Sequence, residues 1–189
     1  MKLSKLVLTA VVLALFSCAA AFAQSHDHAQ HAGVNERGDK VMGFSHEKTT
    51  HHFLLTTDGG LIVAEVKDKT DAANLEQIRT HFKHIAQKFA AGDFTAPMLI
   101  HDKVPPGVPV MKQLKAEIKY QFEQTELGGK VRINSTNAKA IAAIHEFLRF
   151  QVSDHKTGDF SRHASWDVHK PGKGFDFTKE AGYMIEIWS

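Results

Sequence analysis

The chain has 189 residues, a formal net charge of +2, 13 histidines and one cysteine. Lys2 and Lys5, in the apolar N-terminal stretch, carry the whole of that excess. The remaining near-neutral balance gives no electrostatic case for a nucleic-acid partner. One cysteine excludes a disulfide framework within the chain.

The opening MKLSKLVLTAVVLALFSCAAAFAQ has a basic n-region, an apolar h-region and an Ala21-Phe22-Ala23 cleavage signal. It reads as a secretory signal peptide over 1–23, with no later apolar run to form a membrane span. The rival reading is a lipid anchor on Cys18, since Leu15-Phe16-Ser17-Cys18 loosely resembles a lipobox; the bulky Phe16 argues against it. The expectation is a soluble exported protein, periplasmic or extracellular. Loss of Cys18 with the signal leaves no thiolate ligand and no thiol nucleophile.

Residues 24–45 read as a flexible histidine-rich segment. Its expected terminus, Gln24-Ser25-His26, offers an α-amine, two amides and an imidazole. That set can wrap Cu(II) or Ni(II) in a square plane of nitrogens. His28 and His31 lie close enough to add ligands. Cyclisation of Gln24 would remove the amine. Arg37-Gly38-Asp39 is an adhesion tripeptide by letter only.

The domain proper is expected over 46–160. It opens on HEKTTHHF (46–53), which is not the zinc-protease motif, because the spacing is H-E-x-x-x-H leading into a strand. His46, His51 and His52 are candidate ligands here, against the alternative of a polar strand entry. Alternation sends His51 and His52 to opposite faces of the strand. The pairs His46–His52, or His51 with a helix histidine, are then the geometrically possible ones. HHFLLTTDGGLIVAEVK reads as a hairpin turning at Asp58-Gly59. Phe53 and Leu55 share a face with Ile62, Ala64 and Val66, and His52 falls opposite Glu65.

A helix is predicted over 71–91, with Leu75, Ile78, Phe82, Ile85 and Phe89 on one stripe and Gly92 as its stop. His81 flanks the stripe and His84 faces solvent. Three prolines in IHDKVPPGVPVM (100–111) suggest a stiff extended linker, placed at 95–114. AEIKYQFEQTELGGKVRINS reads as a second hairpin, with Ile118, Tyr120 and Phe122 facing Val131 and Ile133. A second helix is predicted over 138–156, through Ile141, Ile144, Leu148 and Val152. His145 and His155 fall beside that stripe, where a hydrogen-bonded core histidine is the ordinary outcome. Phe147 and Phe150 point away from it and need cover from the tail, a second subunit or a ligand. Asn134-Ser135-Thr136 is a glycosylation sequon by letter, at a place where a helix cap is expected. The tail, 161–189, ends in YMIEIWS, which reads as one more strand docking on the domain.

The order hairpin, helix, stop occurs twice, over 50–94 and 115–160, and IRTHFKHIAQKFAAGDF aligns with IHEFLRFQVSDHKTGDF. This suggests duplicated ββα units. The expected fold is α+β, a four-stranded antiparallel sheet with two helices on one face and a C-terminal strand-like tail.

Histidines without cysteine favour a divalent metal-binding protein for Cu(II), Ni(II) or Zn(II), acting in buffering, delivery or detoxification. Met42, Met98 and Met111 leave Cu(I) open, because thioethers suit it. Two alternatives stand beside this. One is a ligand- or protein-binding module, or self-association, through Phe147, Phe150, Trp166 and Trp188. The other is a hydrolytic enzyme using a histidine–carboxylate pair, such as His52 with Glu65 or His145 with Glu146, or a zinc site. There is no C-x-x-C-H for covalent haem, no phosphate loop and no G-x-S-x-G.

Overall fold

The computed structural model describes residues 33–159. The expected signal peptide, the Gln24–His31 tract and the C-terminal strand therefore lie outside the described residues.

Helix α1 covers 33–42 of the described chain. It is followed by β1 (Thr49–Thr56), β2 (Gly59–Val66), α2 (Ala72–Ala90), α3 (Thr95–His101), α4 (Val108–Gln113), β3 (Ile118–Gln124), β4 (Gly128–Ser135) and α5 (Ala138–His155). The fold is α+β. The four strands form one antiparallel sheet in the order β1-β2-β4-β3.

The hairpins join through their second strands, so β1 and β3 are the edges. Each long helix then crosses to the other hairpin. Helix α2 packs chiefly on β3 and β4, and α5 on β1 and β2. This interleaving makes one core rather than two. Ile78, Phe82 and Phe89 of α2 and Ile144, Phe147 and Leu148 of α5 are sealed over Phe53, Ile62, Val131 and Ile133. Asp71 caps α2 through the amide of Asn74, and Asn137 caps α5 through the amides of Lys139 and Ala140. Gly92, at φ +84°, ends the α2 turn in a conformation other residues avoid.

Several expectations change. The first hairpin pairs Thr56 with Gly59, so Thr57-Asp58 forms the turn, not Asp58-Gly59. The shift is two residues, which preserves the faces but changes the partners: His52 lies opposite Val63, and Thr50 opposite Glu65. Residues 33–42 are helical rather than loose, because Val34 is fully buried and Arg37 donates to the Ile100 carbonyl at 2.8 Å. The proline segment is not an extended linker. Pro97 and Pro109 sit within the first turns of α3 and α4, where the missing amide has no partner to lose. Those two short helices also correct the aromatic surface. Phe147 is 1% exposed, with ring contacts to Phe89 and Phe94. Phe150 packs on His101, with the Lys103 ammonium 4.8 Å from its ring centre. Phe147 therefore offers no aromatic face for a partner, while Phe150 is half-buried. No helix among the described residues is long and apolar enough to cross a membrane.

Candidate functional site

The edge strand β1 delivers histidines to both faces of the sheet, as period-two alternation demands. His51 lies on the helix-covered face with Phe53, and His52 on the other. Both nevertheless border one cleft of about 330 Å³ at the β1 edge, which is also lined by Met42, His46 and His155. The three described candidate ligands, His46, His51 and His52, are thus neighbours of one space.

Two of them share a construction. His46 donates from Nδ1 to the Asp39 carboxylate, 2.9 Å from Oδ2, and its backbone amide is 2.8 Å from Oδ1. His52 donates from Nδ1 to Oδ1 of Asp159 at 2.8 Å. A carboxylate can only accept, so the proton of each neutral ring is on Nδ1 and the Nε2 lone pair is free. Asp159 is 4% exposed and also accepts from the amide of Phe53 and the hydroxyl of Thr157. Burial alone would raise its pKa, but the donated hydrogen bonds outweigh that and lower it, so it remains a carboxylate. The Phe53 amide lies on the unpaired edge of β1, so Asp159 also closes that edge.

His51 is built differently. It stacks on Phe44 at 5.5 Å and on His155 at 6.2 Å. Its Nε2 is sealed from solvent with no hydrogen-bond partner among the described residues. His81 of α2 meets the same Phe44 ring edge-on at 5.8 Å, and its Nε2 is sealed and unpartnered too. Burial depresses both pKa values to about 4, aided at His51 by neighbouring histidines and at His81 by His84. Both rings are therefore neutral at physiological pH, the form that binds metal.

Of the other described histidines, His101, His145 and His84 are structural or solvated. His101 is held at both ring nitrogens, by Asp154 at 2.5 Å and Gln151 at 2.8 Å. His145 donates to the Thr56 carbonyl at the helix–sheet seam, as its position beside the apolar stripe suggests. His84 is exposed. Arg37 and Asp39 of the tripeptide are engaged within the domain. Among the described residues, no three histidine, cysteine or acidic side chains stand together as a ready metal cage.

Asp39, Asp159 and the inward role of Phe44 were not anticipated from sequence. Asp159 is a long-range partner of β1, separated from it by 107 residues, and no local pattern reports such a contact. Compared with protein-family models, curated proteins and solved structures, the chain matches none.

Proposed function

We propose that this is an exported metal-handling protein, which captures a divalent ion such as Cu(II), Ni(II) or Zn(II) on imidazole nitrogens of the β1-edge cleft. The observation that carries the reading is the paired tethering of His46 by Asp39 and His52 by Asp159. A carboxylate on Nδ1 fixes the tautomer, orients the ring and raises the basicity of Nε2, which is how ligating histidines are commonly supported. His51 and His155 border the same space. The Gln24-Ser25-His26 terminus with His28 and His31 lies a few residues upstream of Val34 and Asn35, which line the cleft. It would act as an outer capture arm. A cleft of imidazoles with no thiol suits buffering, delivery or detoxification of divalent ions better than turnover.

The test is calorimetric titration of the purified chain with Zn(II) and Cu(II). The double variant His46→Ala/His52→Ala should bind Zn(II) at least tenfold more weakly. Removing His26, His28 and His31 should weaken Cu(II) capture and leave the cleft's Zn(II) affinity unchanged. Equal Zn(II) affinity in wild type and in the His46/His52 variant would overturn the cleft site.

A second reading has one observation behind it. His52 with the buried Asp159 has the form of an acid–base dyad, in which the carboxylate orients the imidazole for proton transfer. It replaces the His52–Glu65 pairing expected from sequence. Hydrolytic turnover of ester or phosphate test substrates, lost in His52→Gln, would favour it.

A further inference from the structure

We propose that Met42, His51 and His81 form a second, inner metal site, one that selects Cu(I). It rests on the metal-handling reading but uses different residues and a different ion from the outer cleft.

The three side chains line one small cavity of about 50 Å³ beneath the β1 edge. Organic ligands occupy pockets of about 300 Å³ or more, so this space takes an ion and not a cofactor. The Nε2 atoms of two of its lining histidines, on the separate elements β1 and α2, are sealed from solvent without partners among the described residues. An unmade hydrogen bond of this kind costs about 1–3 kcal/mol, so two acceptor-capable ring nitrogens left this way on one cavity's lining are a cost that packing alone does not explain. A bound ion would satisfy both.

The chemistry of the lining chooses the ion. No carboxylate borders the cavity, and the rest of its wall is largely aromatic and aliphatic, with Phe53, Phe82 and Phe89 among it. A dication there would have no anion to balance it. The cost of burying charge rises with its square, so a monovalent ion is tolerated where a divalent one is not. Two neutral imidazoles and a thioether are a soft, uncharged donor set, and Cu(I) prefers it. Phe44 contacts both rings and holds them about the space. The cage of three histidine or acidic groups that the outer cleft lacks is not required here, because the third donor is sulfur.

The cavity also adjoins the outer cleft. Met42, His51 and His155 line both it and the outer cleft. An ion arriving in the cleft meets the inner donors without crossing the core.

The experiment is an anaerobic Cu(I) titration of the protein purified from the exported fraction against a coloured Cu(I) chelator, run beside Zn(II) calorimetry. Met42→Leu and His81→Phe should each lower Cu(I) affinity at least tenfold, and His81→Phe, which lies outside the lining of the outer cleft, should leave Zn(II) affinity unchanged. His46→Ala/His52→Ala should do the reverse. Met42→Leu keeps the side-chain volume, so its effect is read without loss of fold, and thermal melts check both variants. The extended fine structure of copper X-ray absorption should show a sulfur neighbour that Met42→Leu removes. Zn(II) binding without Cu(I) binding, or Cu(I) affinity unmoved by Met42→Leu, would overturn the inner site and leave the outer one standing. Failure of Zn(II) to bind, with Cu(I) held and lost in Met42→Leu, would overturn the outer site alone.

Discussion

Nδ1 of His52 and the Asp159 carboxylate meet at 2.8 Å, joining the first strand of the sheet to the segment that follows α5. One carboxylate holds the ring, takes the free amide of Phe53 at 2.9 Å and receives the Thr157 hydroxyl. Edge protection and side-chain orientation are therefore the same contact, and a single substitution separates them.

Asp159→Asn tests this. The amide oxygen can still accept from Phe53, so the strand edge stays closed. The amide nitrogen can then donate to Nδ1 of His52, which moves the ring proton to Nε2 and blocks the lone pair. Zn(II) affinity is expected to fall about 10- to 100-fold, with a stability loss of about 1–3 kcal/mol. Calorimetry with a parallel urea melt separates the two effects. A purely structural Asp159 would show the stability loss without the affinity loss.

Acid stability follows from the two sealed imidazoles. His51 and His81 titrate near 4 in the folded protein, against about 6.5 in an unfolded chain. Between those values the unfolded state binds more protons, so stability falls as pH drops from about 6.5 to about 4 and levels off below. Asp159, whose pKa is also lowered, adds a separate loss at more acid pH, as its carboxylate is protonated. Melting temperatures of metal-free protein from pH 7.5 to 4 should decline through that window, and His81→Phe should flatten the slope. A flat profile in the wild type would contradict the burial of these rings.

The fold was largely legible because its signals are local. Period-two and period-3.6 patterns marked both hairpins and both long helices, and Asp71 and Gly92 bounded α2 to within a residue. The turn at Thr57-Asp58 was misplaced because Asp-Gly is a strong local signal, and the pairing of β2 with β4 fixes the register instead. The short helices α3 and α4 were missed for the opposite reason. Prolines break helix interiors but suit first turns, and only packing on α5 decides which applies. At the site, the histidines were visible by type, but their supports Asp39 and Asp159 were not. Carboxylate tethers depend on loops that tertiary contacts place.

Phe147 distinguishes the folded arrangement from the sequence expectation. An exposed aromatic would cost little to truncate, within about 0.5 kcal/mol. Sealed among Phe89, Phe94 and the α3–α4 segment, Phe147→Ala should cost about 3–5 kcal/mol by chemical denaturation.

The α4 cover itself hangs on one glycine. Gly107 precedes α4 at φ +79°, a conformation that disfavours any side chain. A Cβ there would also stand 2.0 Å from the backbone carbonyl oxygen of Ala143 in α5. Backbone cannot rotate away as a side chain can, so α4 must lift from α5 to admit even a methyl group. Gly107→Ala is expected to destabilise by about 2 kcal/mol or more, beyond the usual cost of a surface substitution. It should also speed amide exchange in α4 and at Phe147 while β1 and β2 stay protected. Because α4 borders neither the cleft nor the inner cavity, Zn(II) and Cu(I) affinities of the folded fraction should be unchanged. A uniform loss of protection across the sheet would instead mean that α4 and the core open as one unit.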